Sequence, residues 1–432
     1  MIILNEHHGY PYSKPLNIDL SSYSYILNGL NISKYFIQKR SNQLCFSLEY
    51  DESNENKYLF KSSYFIGVDW LVEKKLPIYV QPKINNDNYS VDYLTMLFEA
   101  LKEYENYNHL DYLYNIDFKK PLIKIRQEQD LLSPLLIIQY LNILKKIVHK
   151  GLKKSYYKKT TNFNSKIKGK ILINKTIRHN HFKGDLFSTY CSYNEFGYNS
   201  IENKVLKKAL EFSERVLKNL KGADNINLQS ILSFIKPAFD KVDNKVEIHD
   251  LKSYKSNSLF KEYEQALYIA KLIFKRYGYN IKNVSETIIE TPPFWIDMSK
   301  LFELYVYKKL RNLFSLKGEV IYHKKINYLE PDFIINSKDG NYKMIVDAKY
   351  KPRYVVNNVS VDDIRQVSGY ARLLSIYKEM NLVGFNKVID CLIIYPDQEK
   401  DLEFIGKESL KHYKIQHYAQ FYKIGIKLPY VN

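Results

Sequence analysis

Apolar and polar positions alternate over short distances through the first 85 or so residues. Runs rich in β-branched and aromatic side chains, Tyr35–Lys39, Leu44–Leu48, Tyr64–Val68 and Ile78–Pro82, are separated by turn-formers such as Asp51-Glu52-Ser53-Asn54. That is the pattern of short strands, and it predicts a small barrel or sandwich. The period then lengthens. Tyr93, Leu94, Leu97, Phe98 and Leu101 recur at helical spacing. A second helix is expected over Pro134–Leu152, with its proline in the first turn. Ser200 is placed to cap a third, carrying Val205, Leu206 and Leu210. Further helices are expected near 225–237 and 257–276, and Tyr156–Arg178 reads as strand-like and basic. Thr291-Pro292-Pro293 breaks the chain. Beyond it the order is helix, several strands, helix, strand. The expected fold class is therefore a multi-domain α/β chain: a β-rich part over 1–88, a mostly helical middle over 89–290, and an α/β domain over 294–432.

Length agrees with this division, since 432 residues suffice for two or three domains. Charge adds a partner class. Lys and Arg number 65 against 47 Asp and Glu, a formal charge of +18, which favours an anionic partner. Only 9 of the 65 are Arg and Tyr reaches 40, so AT-rich codon usage accounts for part of the lysine excess. Its placement says more. From Leu131 to Gly184 there is no acidic residue, and the stretch carries thirteen basic ones. Lys153, Lys154, Lys158, Lys159, Lys168 and Lys170 are the candidates there for binding nucleic acid or a protein partner. A solvated helix face followed by a basic strand is the plainer account of the same residues.

Membrane and secretory classes are set aside. The start, Met1-Ile2-Ile3-Leu4-Asn5-Glu6-His7-His8, has neither a basic nor an apolar leader segment. No apolar run reaches the ~18 residues of a membrane span. Cys45, Cys191 and Cys391 lie far apart, which fits a reducing cytoplasm and leaves no cysteine-based zinc site.

The chemistry concentrates in one segment. Leu329-Glu330-Pro331-Asp332-Phe333-Ile334-Ile335 leads through Asp339-Gly340-Asn341 into Lys343-Met344-Ile345-Val346-Asp347-Ala348-Lys349-Tyr350. Asp-Gly between apolar runs predicts a hairpin. Alternation puts Asp347 and Lys349 on one face of its second strand and leaves Met344, Val346, Ala348 and Tyr350 to pack on a helix. The hairpin can bring Asp332 beside Asp347. Two converging carboxylates suit Mg²⁺, which phosphodiester hydrolysis uses to hold phosphate and activate water. A neighbouring lysine can orient or deprotonate that water and offset charge. This is the Pro-Asp…(Asp/Glu)-x-Lys, or PD-(D/E)XK, nuclease pattern.

Its context fits. A helix expected over Asp297–Leu316 holds Glu303 among Leu301, Phe302, Leu304, Tyr305 and Val306, and one over Asp362–Lys378 bears Gln366 and Tyr370. A buried strand over Val388–Tyr395 follows. Lys351 and Arg353, just past the hairpin, join the candidates for contact with nucleic acid or partner. Other scans find nothing. There is no G-x-x-x-x-G-K-[ST], so nucleoside triphosphate hydrolysis is not expected of this chain. His179-Asn180-His181 does not have a nuclease spacing, and Pro396-Asp397 has no (Asp/Glu)-x-Lys after it.

The sequence resembles the McrC family, the nuclease subunit of McrBC-type modification-dependent restriction systems. The resemblance runs through Ile66-Gly67-Val68, Tyr79-Val80-Gln81-Pro82-Lys83-Ile84, Ile167-Lys168-Gly169-Lys170 and Asn199-Ser200-Ile201-Glu202-Asn203-Lys204-Val205-Leu206-Lys207. It continues in Leu301-Phe302-Glu303, Pro331-Asp332, Asp347-Ala348-Lys349-Tyr350-Lys351 and Gln366-Val367-Ser368-Gly369-Tyr370-Ala371. It implies a McrB-like AAA+ GTPase hexamer as partner, which binds the GTP. It implies a stalk within 1–290 that stimulates that partner, and double-stranded, modified DNA as substrate. Carried over, Asp332 and Asp347 become Mg²⁺ ligands and Lys349 the catalytic lysine, with Glu303 and Gln366 in support. Extra helical sequence between about 205 and 290 departs from a minimal family member and leaves the stalk boundary open. Two other functions stay in view: a ring-activating interaction subunit with a vestigial nuclease domain, and a free-standing PD-(D/E)XK repair nuclease.

Overall fold

The computed structural model describes residues 1–37, 42–53, 57–82, 90–117, 119–126, 130–218, 228–246, 261–278, 288–326, 328–355, 359–384, 387–397 and 410–431. They form two compact units. The first joins Met1–Leu131 to Thr287–Asn432, and the second is Leu132–Glu286.

The first unit opens with the expected strands, now in two sheets on one core. One sheet runs in the order Ile2–Asn5, Leu76–Gln81, Phe65–Val72, Phe294–Asp297, Tyr114–Ile116. The other runs Lys14–Pro15, Tyr58–Ser62, Asn42–Tyr50, Ile32–Ile37. Phe36, Phe46, Phe60, Phe65, Ile78 and Trp295 fill the shared interior. The part of the expected strand beyond Ile37 lies outside the described residues. Gly67 is a requirement of this sheet. Its φ is +149°, and a Cβ there would stand 2.1 Å from the Phe294 carbonyl oxygen, so only glycine lets the two strands pair.

Here the units differ from the expected spans of 1–88, 89–290 and 294–432. Two strands of the first sheet come from beyond residue 88, and Tyr430–Val431 pairs with Ser90–Val91. The reason is physical. Phe294-Trp295-Ile296-Asp297 is buried at every position, so it has no alternation to show which sheet it joins. Its partners at Phe65–Val68 are more than two hundred residues earlier.

Asp297 then ends that strand and caps the next helix, Met298–Leu313, accepting from Lys300 N at 3.0 Å. The helix packs against Tyr93–Leu101 on one side. On the other it meets a second five-stranded sheet, in the order Val320–Tyr322, Phe333–Asn336, Lys343–Ala348, Asp390–Asp397, Phe421–Lys427. The first three strands are antiparallel and the last two are added in parallel. Phe302 meets Tyr350 with ring centroids 5.5 Å apart, as the outward alternation of Tyr350 requires. On the opposite face Ile345 and Ile393 pack with Ile364, Val367 and Tyr370. The helix expected over 362–378 is two, Val361–Tyr370 and Leu374–Glu379. Gly369, a poor helix former, precedes the break.

The second unit holds helices Leu132–Lys150, Ile201–Lys218, Leu228–Ile235 and Lys261–Gly278, with a three-stranded antiparallel sheet ordered Ser155–Asn164, Ser188–Gly197, Lys170–Ile171. Asn203 is fully buried, and its amide donates to the carbonyls of Lys153 and Tyr198 and accepts from Tyr263. The expected strand over 156–178 stops at Asn164, and Ile173–His179 is a helix. Its Thr176 is buried and binds Tyr190 N at 3.0 Å, which pins the helix to the sheet. The three cysteines are buried and unpaired. Among the described residues, no helix is long and apolar enough to cross a membrane.

Candidate active site

The hairpin forms as its turn residues require. Gly340 takes φ +73°, and the Asp339 carboxylate accepts from Asn341 N at 3.0 Å. Phe333 pairs with Val346, so Asp332 and Asp347 follow at the open end of the hairpin, on one face of the sheet. Asp332 Oδ2 accepts from Ala348 N at 2.8 Å, which fixes the carboxylate against the second strand. Asp347 is 1% exposed, and Lys349 Nζ stands 2.7 Å from its Oδ2. Lys349 also donates to Gln366 Oε1 at 2.8 Å, and Gln366 Nε2 donates to Tyr370 at 2.8 Å. Glu303 enters from Met298–Leu313, with an oxygen in ligand range of Asp332. All five expected residues, Asp332, Asp347, Lys349, Glu303 and Gln366, therefore gather at one place.

Their charges do not balance. Burial, then the charges of Asp347 and Glu303, push the Asp332 carboxyl well above the usual range. Burial also raises Asp347, against the pull of Lys349. Burial would lower Lys349, but Asp347 and Asp332 together hold it above the ordinary lysine value. Glu303 is the exception: burial raises it, yet Lys300 and His323 bring it down to about 2. Asp332 and Asp347 are thus oxygen donors crowded in a dry place, with the one Lys349 ammonium paired to Asp347. That donor set fits a hard divalent cation such as Mg²⁺.

Sequence reasoning missed part of this arrangement. Lys300 Nζ lies 3.0 Å from Glu303 Oε1, 2.8 Å from Tyr322 Oη and 2.9 Å from His323 Nε2. The i,i+3 spacing of Lys300 and Glu303 was a usable signal, whereas His323 sits on a separate strand end that no motif marks. Asp363 was also missed. It binds Lys351 Nζ at 2.6 Å, accepts from Tyr354 and lies 4.0 Å from Lys349 Nζ. Lys351 is thereby tied into the site's support, and the Arg353 side chain lies outside the described residues.

The basic stretch of the second unit is acid-free in sequence and not in space. Lys153 pairs with Glu202 at 3.2 Å and Lys159 with Glu195 at 2.8 Å. Lys154, Lys158, Lys168 and Lys170 are exposed, with Lys154 over the Tyr198 ring and Lys168 over Tyr193. Asn180 of His179-Asn180-His181 is buried and donates to the Ser188 carbonyl at 2.7 Å, a structural role.

A mixed-sheet unit with buried carboxylates and one lysine at the mouth of a hairpin is the context for comparison with known proteins. The chain belongs to the McrBC 5-methylcytosine restriction system component family, whose model matches residues 65–395. Among solved structures it is similar to a chain of the refined half-complex from the tetradecameric assembly of Thermococcus gammatolerans McrB AAA+ hexamers with bound McrC. Identity is 15%, coverage is 100% of this chain and 95% of that one, and the TM-score is 0.38. It is also similar to a chain of the cryo-EM structure of the Thermococcus gammatolerans McrBC complex, at 16% identity, covering 72% of this chain and 88% of that one, with a TM-score of 0.29. No curated protein matches the chain.

Proposed function

We propose that the chain is the DNA-cleaving subunit of a GTP-dependent restriction system, a PD-(D/E)XK endonuclease acting on phosphodiester bonds. One observation carries the reading: Lys349 paired with Asp347 at 2.7 Å, beside Asp332, at the open end of a hairpin. Asp332 and Asp347 would hold Mg²⁺. When bound, the ion supplies Lewis-acid stabilisation and lowers the pKa of water. Paired with Asp347, Lys349 keeps its proton, which suits offsetting charge on a phosphate oxygen more than abstracting a proton. Gln366, itself held by Tyr370, keeps the ammonium in position. Asp363 adds a further acceptor on that side.

Family membership supports a McrB-like AAA+ hexamer as partner and modified double-stranded DNA as substrate. The GTP would belong to the partner, since this chain has no phosphate-binding loop of the G-x-x-x-x-G-K-[ST] kind. Docking through the second unit is supported by its surface. Phe182, Leu186, Phe187 and Ile167 are exposed among the lysines, and such a mixed apolar and basic patch suits a protein surface.

The test mixes the chain with its partner, GTP, Mg²⁺ and methylated DNA. Asp332→Ala, Asp347→Ala and Lys349→Ala should each abolish strand breaks and leave GTPase stimulation intact. Cutting at the parental rate by all three would sink the assignment. Stimulation by the parent without any breaks would favour an interaction subunit, and cleavage without partner or nucleotide a free-standing nuclease.

A further inference from the structure

The strands Val320–Tyr322 and Phe333–Asn336 continue past their last sheet pair. Tyr322 pairs with Phe333. The His323 N–H donates to the Asp332 carbonyl at 3.0 Å, and Ile326 and Leu329 exchange both backbone hydrogen bonds at 2.7 and 2.8 Å. One register therefore runs on to a tight turn that carries Tyr328. It leaves the sheet at the end where Asp332 and Asp347 stand, and its tip lies roughly 10 Å beyond Asp332, three residue pairs further along the strand direction.

The base of this extension is held. Ile326 packs against the core that includes Ile345, Ile364 and Ile376. Lys324 is bonded to Glu379, and His323 Nδ1 lies 3.1 Å from Glu330 Oε1, which joins the two arms. The tip is bare. Tyr328 is 100% exposed, Leu329 beside it is 40% exposed, and Lys325 is exposed as well. Tyr328 also takes φ +66°, where a bulky side chain is strained and glycine is not. Neither packing nor turn geometry accounts for a tyrosine there.

We propose that Tyr328, together with Leu329, is a wedge for duplex DNA, a role that rests on reading Asp332, Asp347 and Lys349 as the cleavage site. A phosphate held at that site puts its own duplex against the tip, which selects DNA over a protein surface as the occupant. The reach of roughly 10 Å corresponds to about three base steps of ~3.4 Å from the cut. A flat ring stacks on any base, and an apolar side chain that enters a base step unstacks and kinks it. Lys325 supplies a cation for a neighbouring phosphate, while Lys324 is held by Glu379. Pyrimidine–purine steps yield most easily to such a wedge. Tyr328 thereby biases where the cut falls.

The test uses the full chain with its partner, GTP, Mg²⁺ and methylated duplexes of varied sequence, and the cut ends are sequenced. The parent should favour cuts at a fixed offset from TA or CA/TG steps. Tyr328→Ala should lose that preference and need about 5–150-fold more DNA for half-maximal cutting, the loss of one base–aromatic stack. Tyr328→Phe should keep both. Tyr328→Gly separates wedge from turn: it should melt at or above the parent and still cut like Tyr328→Ala. Parental cut positions and DNA requirement in Tyr328→Ala overturn the proposal. A second readout needs no cleavage. Duplexes with 2-aminopurine at successive adenines brighten where a base is unstacked, and in an Asp347→Asn background they should brighten with Tyr328 and not with Tyr328→Ala. Such brightening, with no strand breaks by the parent, leaves the wedge standing and sinks the cleavage reading. Strand breaks by the parent without Tyr328-dependent brightening sink the wedge alone, and the absence of both sinks the two together.

Discussion

Tyr350 donates its hydroxyl to Glu6 Oε1 at 3.1 Å, linking the segment just after Lys349 to the end of the first β-strand, 344 residues earlier in the chain. Both side chains are 3% exposed. The His7 ring lies 5.7 Å from that of Tyr350, and Phe302 lies 5.5 Å from it. The face of the strand turned away from Asp347 and Lys349 is therefore anchored in the N-terminal sheet region. Burial pushes the Glu6 carboxyl well above its ordinary value, and the Tyr350 hydrogen bond offsets only part of that.

Glu6 gives a pH prediction with a definite sign. A carboxyl whose folded pKa lies above its unfolded value contributes stability that is fully present below the unfolded pKa. That contribution is lost as pH rises through the folded pKa. Glu6→Gln keeps an acceptor for Tyr350 and cannot ionise. Its melting temperature should match or fall slightly below the parent's in acid, then exceed it increasingly as pH rises above the normal carboxyl range. The gain should be about 1–3 kcal/mol, the cost of an imperfectly satisfied buried group. Thermal melts of both proteins across pH would check this, and parallel curves at every pH would refute it.

Gly67→Ala should damage the first unit through geometry alone. The added methyl would meet the Phe294 carbonyl oxygen at 2.1 Å in backbone that has no side chain to move aside. Overpacking of this kind costs about 1–3 kcal/mol or more. Gly29→Ala is the control: its φ is +67°, but a Cβ there meets nothing within 4 Å. Denaturant unfolding should show the larger loss for Gly67→Ala, and equal losses would mean that close approach of the two strands is not what demands glycine.

The same strand explains what was legible in the sequence. The hairpin, the opposed faces of Asp347 and Tyr350, and the helices bearing Glu303 and Gln366 follow from local periodicity and turn chemistry, and the structure has all of them. Phe294–Asp297 was misplaced because a strand buried on both faces has no pattern, and pairing across the chain leaves no local mark. His323 escaped for a related reason. Its contacts come from Lys300 and Glu303 on the helix Met298–Leu313 and from Glu330 just before the strand Phe333–Asn336, and a single histidine at a strand end carries none of that information. The basic stretch is the opposite case. Its acid-free run looks unopposed, but Glu195 and Glu202 return to it through strand pairing and the helix after Ser200.

That return of acids divides the lysines into two groups with different expected behaviour. Lys153 is half-buried, bonded to Glu202, and its backbone N–H meets the Tyr263 hydroxyl at 2.7 Å. Lys153→Ala should therefore lower stability of the second unit, with little direct effect on ligands. Lys154, Lys158, Lys168 and Lys170 are exposed, and changing all four to Glu tests phosphate binding. If they neutralise DNA phosphates, the slope of log affinity against log salt should flatten by about 0.9 for each phosphate left without its lysine. The neighbouring Phe182 and Phe187, 81% and 74% exposed, serve to test protein docking on the same surface. Phe182→Ser with Phe187→Ser should weaken stimulation of the GTPase partner at least 10-fold, the loss of about 1.4 kcal/mol of binding, while the salt slope for DNA stays at the parental value. Full stimulation by that double variant, combined with a flattened slope for the lysine variant, would assign this surface to nucleic acid.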